Sequence, residues 1–178
     1  MIIRNKYNLT YCSNIFKETT WKKLFNQLKV YIIKIKTIKK RIGISLCLSN
    51  SLVKSIKKRE TILEFDRWLN NEGIYISSIN GFVYRDFHEK NIKEKIYYPD
   101  WSSERRVTYT LDLIKILNQL KGNVKTVSIS TLPISYLYWV KNKHKYYLLY
   151  KSAKNISRVV NNLIYTKNIH LDIESEQD

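Results

Sequence analysis

The chain reads as an α/β protein in which about five parallel strands alternate with helices. Three observations predict this class. Short apolar runs rich in β-branched residues, such as Arg41–Leu48 (RIGISLCL), alternate with longer segments whose apolar residues recur every three or four positions. Those longer segments suffice for right-handed crossovers between parallel strands. With 44% hydrophobic residues in 178 positions, the sequence can also fill the core of a single domain.

The elements follow in order. Between Tyr7 and Ile15 a short strand carries Leu9, Tyr11 and Ile15, and Ser13-Asn14 marks where it gives way to a loop. Thr19-Thr20 offers an N-cap, after which Trp21, Leu24, Phe25, Leu28, Tyr31, Ile32 and Ile35 trace one face of a helix. Arg41–Leu48 is nearly continuous in apolar and small residues, as a strand covered on both faces would be. Ser49-Asn50-Ser51 starts the next helix, and Thr61–Asn70 forms another with Ile62, Phe65 and Leu69 inward and Leu63 and Trp68 flanking. Gly73 then stands just past a helix end, where a left-handed residue is favoured.

A third strand begins at Ile74-Tyr75-Ile76, and the long loop 80–101 follows it. Ser102-Ser103-Glu104 can cap a helix running to about Leu120, with Val107, Leu111, Ile114 and Leu117 inward and Gly122-Asn123 as its stop. Val124–Ser130 is the fourth strand, and Thr131-Leu132-Pro133 turns out of it. A Tyr-rich helix spans roughly Lys145–Tyr165 with Leu149, Ile156, Val160 and Leu163 spaced for its buried side, and Ile169–Ile173 is the fifth strand. No GxGxxG or P-loop is present, and four glycines leave no room for a dinucleotide fingerprint.

The stretch Ile74–Trp101 concentrates chemistry: Arg85, Asp86, His88, Lys93 and Glu94 crowd into about ten positions after a strand. Its alternative reading is a solvated surface loop. Across the whole chain, 32 Lys and Arg against 15 Asp and Glu give a formal charge of +17. That balance raises a basic nucleic-acid-binding protein as the rival function, with the lysines of 22–41 on the phosphate backbone. The lysines are spread over many segments, however, and the excess of Lys, Ile, Asn and Tyr matches AT-rich codon usage, so nucleic acid is disfavoured as a partner. Cys12 and Cys47 lie in apolar runs without CxxC spacing and read as buried thiols of a reducing compartment. Neither a signal peptide nor a run of about 20 apolar residues is seen, so a cytoplasmic protein without a membrane span is expected.

Several segments occur in one order: Leu9–Asn14 (LTYCSN), Asn80–Tyr84 (NGFVY) with Phe87-His88, Tyr98–Trp101 (YPDW), Thr108–Leu113 (TYTLDL) and Ser128–Pro133 (SISTLP). As a set they resemble EboE-like metabolite-traffic proteins of the sugar isomerase/epimerase-like, xylose isomerase-like TIM-barrel superfamily. The resemblance runs from about Asn8 to the C-terminus and covers about the first half of what that family has. It implies a partial TIM (β/α) barrel, with residues 1–178 as a single incomplete α/β barrel domain. It also implies a role in processing or trafficking a small-molecule metabolite, and an activity, if any, of metal-dependent sugar isomerase/epimerase type that needs the C-terminal half.

Reactive groups of such barrels stand at the C-terminal ends of strands. The candidates at those ends are Asn14, Asn80, Tyr84, Ser130 and Thr131 for substrate binding, with His88 and Lys93 as catalytic residues, His88 as the general acid/base. The family's fifth strand ends in a Leu-Glu-Pro-Glu-Pro-like motif, which Ile173–Gln177 (IESEQ) matches with Ser175 and Gln177 in place of the prolines. Val83 and Arg85 are further departures, in the third-strand motif. Glu174 and Glu176 are thus the positions resembling metal ligands, for a divalent ion in the complete barrel and none in this chain alone. His144 and His170 read as incidental. An open sheet of five strands favours pairing with another chain. The expectation is therefore a truncated product, a split-gene half whose partner supplies the remaining strands, or a self-associating half barrel. A module that binds partners through its sheet edges is the third reading of function.

Overall fold

Five parallel strands lie side by side in the order in which the chain makes them: β1 (Thr10–Cys12), β2 (Ile42–Cys47), β3 (Ile74–Asn80), β4 (Val127–Thr131) and β5 (Ile169–Ile173). The computed structural model describes residues 2–3, 7–8, 10–17, 20–35, 41–85, 93–120, 126–140, 145–166 and 168–175. A two-residue antiparallel ribbon, Ile2–Ile3 with Tyr7–Asn8, precedes the sheet. The helices are α1 (Trp21–Ile35), α2 (Asn50–Ile56), α3 (Arg59–Asn71), α4 (Glu104–Gln119), α5 (Leu137–Val140) and α6 (Lys145–Leu163).

Because the strand order never reverses, every crossover steps the same way, and right-handed crossovers then bring their helices to one side of the sheet. The packing agrees: α1 packs on α2, α2 and α3 on α4, and α4 on α6. This is the winding of a barrel segment. A doubly wound sheet would reverse its order and carry helices on both faces.

Period-2 alternation turns Ile44 and Leu46 of β2, Ile74, Ile76 and Ile79 of β3, and Val127, Ile129 and Thr131 of β4 into the buried layer. The pairing of β2 with β3 slips by one residue after Ile44, which leaves Ser77 unpaired, and its hydroxyl donates to Ile44 O at 3.0 Å. The helices cover this layer with Leu28 and Ile32 of α1, Val53 and Ile56 of α2, and Val107, Leu113 and Ile114 of α4. Trp21 and Phe25 meet Phe65 edge-on, with ring centroids 4.8 and 5.5 Å apart, locking α1 to α3.

Local signals explain the boundaries. Ser49 caps α2 by accepting from Leu52 N, and Ser103 caps α4 by accepting from Arg105 N. Gly73 takes φ +62° where α3 turns into β3, a backbone state open to glycine at little steric cost.

Three expectations are corrected. Tyr31 and Ile35 of α1 stand exposed. On α6 the buried stripe is Ser152, Asn155 and Val159, while Val160 is 43% exposed. The physical reason is polar: Asn155 Nδ2 donates to Trp101 O at 2.8 Å, which fixes the rotation of α6 about its axis. Cys12 is exposed, because β1 is an edge strand, and Cys47 is partly exposed. Residues 122–123, read as the stop of α4, lie outside the described residues.

Candidate functional site

The side of the sheet away from the helices is polar. Register places Cys12, Ser45, Ser78, Ser128 and His170 in one row across β1 to β5. The next row toward the strands' C-terminal ends is Cys47, Asn80, Ser130 and Asp172. Ser45 and Ser78 share a hydrogen bond of 2.7 Å between hydroxyls, and His170 Nε2 stands 3.4 Å from Asp172 Oδ1. These side chains are half-buried or exposed, whereas Ile44, Leu46, Ile79, Val127 and Ile129 beside them along β2 to β4 are buried. A closed barrel fills its interior with bulky branched residues. Here the same face offers hydroxyls, an amide, an imidazole and a carboxylate.

The C-terminal rim is held by a buried polar frame. Arg106 is fully buried; its Nη1 donates to Gly81 O at 2.8 Å and its Nε to Pro99 O at 2.9 Å, tying together both ends of the long loop. The Tyr84 and Tyr109 rings flank the guanidinium, 5.7 and 5.5 Å from it. Burial lowers the Arg106 pKa to about 10, with the two tyrosines and Asp100 opposing that shift, so it stays cationic at neutral pH. Tyr109 donates its hydroxyl to Leu48 O, and burial pushes its pKa up. Asp100 accepts from Ser102 N, Ser102 Oγ and Ser135 Oγ. Trp101 Nε1 donates to Leu132 O at 3.3 Å, so the loop end is anchored to the exit of β4.

Of the residues singled out from sequence, Asn80 and Ser130 are adjacent on the polar face. Asn80 Oδ1 accepts from Phe82 N at 3.0 Å, which shapes the turn, and Gly81 N donates to Ser130 O at 2.8 Å. Asn14 is exposed in a 3-10 turn after β1, beside the buried Ser13, whose hydroxyl accepts from Cys47 N at 2.8 Å. Tyr84 leans its ring on Tyr109, 5.3 Å between centroids, and is part of the frame. Thr131 faces the buried layer at 1% exposure, and its hydroxyl has no partner among the described residues. Lys93 opens a 3-10 turn, Lys93–Tyr97. Glu174 is exposed, with its backbone N–H donating to Thr131 O at 3.0 Å. His88 and Glu176 lie outside the described residues.

Sequence reasoning missed His170 and Asp172. Their signal was the alternation in IHLDI, where polar residues occupy every second position, repeated in Ser78 and Asn80 and in Ser128 and Ser130. Cys47 is on the same face, but burial raises its pKa to about 11, so at neutral pH it is a mostly protonated and weakly nucleophilic thiol.

For a divalent metal, His170 and Asp172 bring two donors together, and among the described residues no group of three or more His, Cys, Asp and Glu side chains could hold an ion. What the face can do is bind hydroxyl groups and move a proton through the imidazole and carboxylate pair. No helix among the described residues is long and apolar enough to cross a membrane. Comparison with protein-family models, curated proteins and solved structures finds no match to this chain.

Proposed function

We propose that this chain handles a small polyhydroxylated metabolite, as an EboE-like, sugar isomerase/epimerase-like barrel segment, and binds it on the polar face of the sheet. The observation that carries the reading is the pair of polar rows from β2 to β5, where barrel interiors otherwise hold aliphatic residues. Serine hydroxyls and the Asn80 amide match the alternating donors and acceptors of a polyol. His170 and Asp172 would then sit beside the substrate as the group able to transfer a proton.

Binding of this kind needs cover. The polar face is open, and β5 pairs with β4 alone among the described strands. A strand added to β5 by another chain or a second copy would extend the sheet and shield the face. Exposed Leu137 and Tyr138 of α5 and Tyr146, Tyr147 and Tyr150 of α6 offer apolar surface to the same partner.

Ligand-observed NMR with a panel of pentoses, hexoses and inositols tests the reading. We expect saturation transfer to one class of sugar, weakened about 10-fold in His170→Ala and Asp172→Asn, each losing one hydrogen-bonding group. Transfer that is absent, or unchanged in both variants, would overturn it.

A further inference from the structure

On the helical side of the sheet, opposite the polar face, a cavity of about 530 Å³ lies between α1, α2 and α3. Four lysines converge on it from separate elements: Lys22 and Lys29 of α1, Lys54 of α2, and Lys58 at the start of α3. One carboxylate lines it, Glu64, which lies 3.6 Å from Lys29 Nζ. The ratio is four cations to one anion, against 32 to 15 for the whole chain. Codon bias scatters lysines; it does not gather them around one concavity.

We infer that this cavity is a binding site for the phosphate group of a small phosphorylated metabolite. Among the described residues Lys22, Lys54 and Lys58 have no carboxylate partner, and a bound dianion would supply one. Lys57, adjacent in sequence, is not part of the cluster and pairs with Asp112 at 2.8 Å. The cavity also supplies uncharged donors in Thr20 and Thr61. One wall is aromatic: Lys29 Nζ lies 3.9 Å over the Phe25 ring, and Trp21, 4% exposed, keeps its indole N–H without a partner among the described residues. A concave site with an aromatic wall fits a compact ester. A polyanion would be served by a track of lysines along the surface.

The experiment is a calorimetric titration of the full chain with inorganic phosphate, with a hexose monophosphate, with the free hexose, and with mixed-sequence single-stranded RNA. We expect the hexose monophosphate to bind, phosphate to compete with it and the free hexose, whose proposed place is the polar face, not to compete. The double variant Lys54→Glu/Lys58→Glu should lose about 10-fold or more in affinity, as two approaching charges are reversed. Lys22→Gln/Lys29→Gln should lose less, because it removes charge without reversing it. Lys151→Glu/Lys154→Glu on α6, outside the cavity, should bind as the unaltered chain does. Absence of binding, equal loss in the α6 variant, or binding of RNA in preference to the monophosphate would each overturn the inference. All six lysines are surface residues, and a retained circular dichroism spectrum shows that a loss of affinity is not a loss of fold.

Discussion

The guanidinium of Arg106 donates through Nη1 to the carbonyl of Gly81, 2.8 Å away and 25 residues earlier in the chain. A second donation to Pro99 O means that one α4 side chain closes the loop that follows β3 at both ends. Arg106→Met keeps the apolar stem and leaves two carbonyls unpaired, so we expect a loss of about 3 kcal/mol in urea unfolding. Arg106→Lys should recover little, since one ammonium cannot reproduce two donors at fixed directions.

Gly81 is constrained by space. A Cβ there would meet Leu113 Cδ1 at 2.9 Å, Ser130 O at 3.0 Å and Ile129 Cγ2 at 3.2 Å. The Leu113 methyl can shift; Ser130 O cannot, because it accepts from Gly81 N. Gly81→Ala should therefore destabilise by about 1–3 kcal/mol, read as a fall in the urea midpoint at unchanged slope.

The two thiols should separate by reactivity. Cys12 is exposed, while burial raises the Cys47 pKa to about 11. At pH 7 alkylation of Cys47 should be about 100-fold slower than that of an ordinary exposed thiol, and its rate should keep climbing with pH up to about 11. Peptide mass mapping after timed iodoacetamide treatment checks this; equal labelling of both residues would show that Cys47 is not shielded.

Arg158 of α6 holds Glu104 of α4 through two hydrogen bonds of 2.7 and 2.8 Å, and these bonds lower the Glu104 pKa. A carboxylate with its folded pKa below the unfolded value stabilises the fold above the ordinary glutamate range and loses that contribution as pH falls through the folded pKa. Glu104→Gln should thus melt slightly earlier than the parent at pH 7 and together with it at about pH 3. Added salt should narrow the difference at neutral pH, since the pair is exposed. Thermal melts across pH and salt read both effects.

The strands and major helices were legible because each carries its own period. Trp21, Leu24, Phe25, Leu28 and Ile32 mark α1 unaided, and Ser49, Gly73 and Ser103 mark ends through capping and φ preferences that act within a few residues. The rotation of α6 was not legible. No local pattern marks Asn155 and Ser152 as buried; Trp101 O, 54 positions from Asn155 in the chain, is the acceptor that buries the stripe. Likewise nothing in the sequence sets Arg106 apart from the other cations, and its burial depends on carbonyls that the sequence does not mark.

By itself, then, the sequence determined the alternation of strand and helix, the single parallel sheet and most helix ends, because those depend on side-chain period and local backbone preference. Only the tertiary structure decided which polar residues meet. Parallel register brings Ser78, Ser128 and His170 into one row although the first and last are 92 positions apart in the chain. The convergence of Lys22, Lys29, Lys54 and Lys58 on one cavity is of the same kind, set by how three helices pack. Such neighbourhoods depend on hydrogen-bond register and helix packing between distant segments, and no local pattern encodes either.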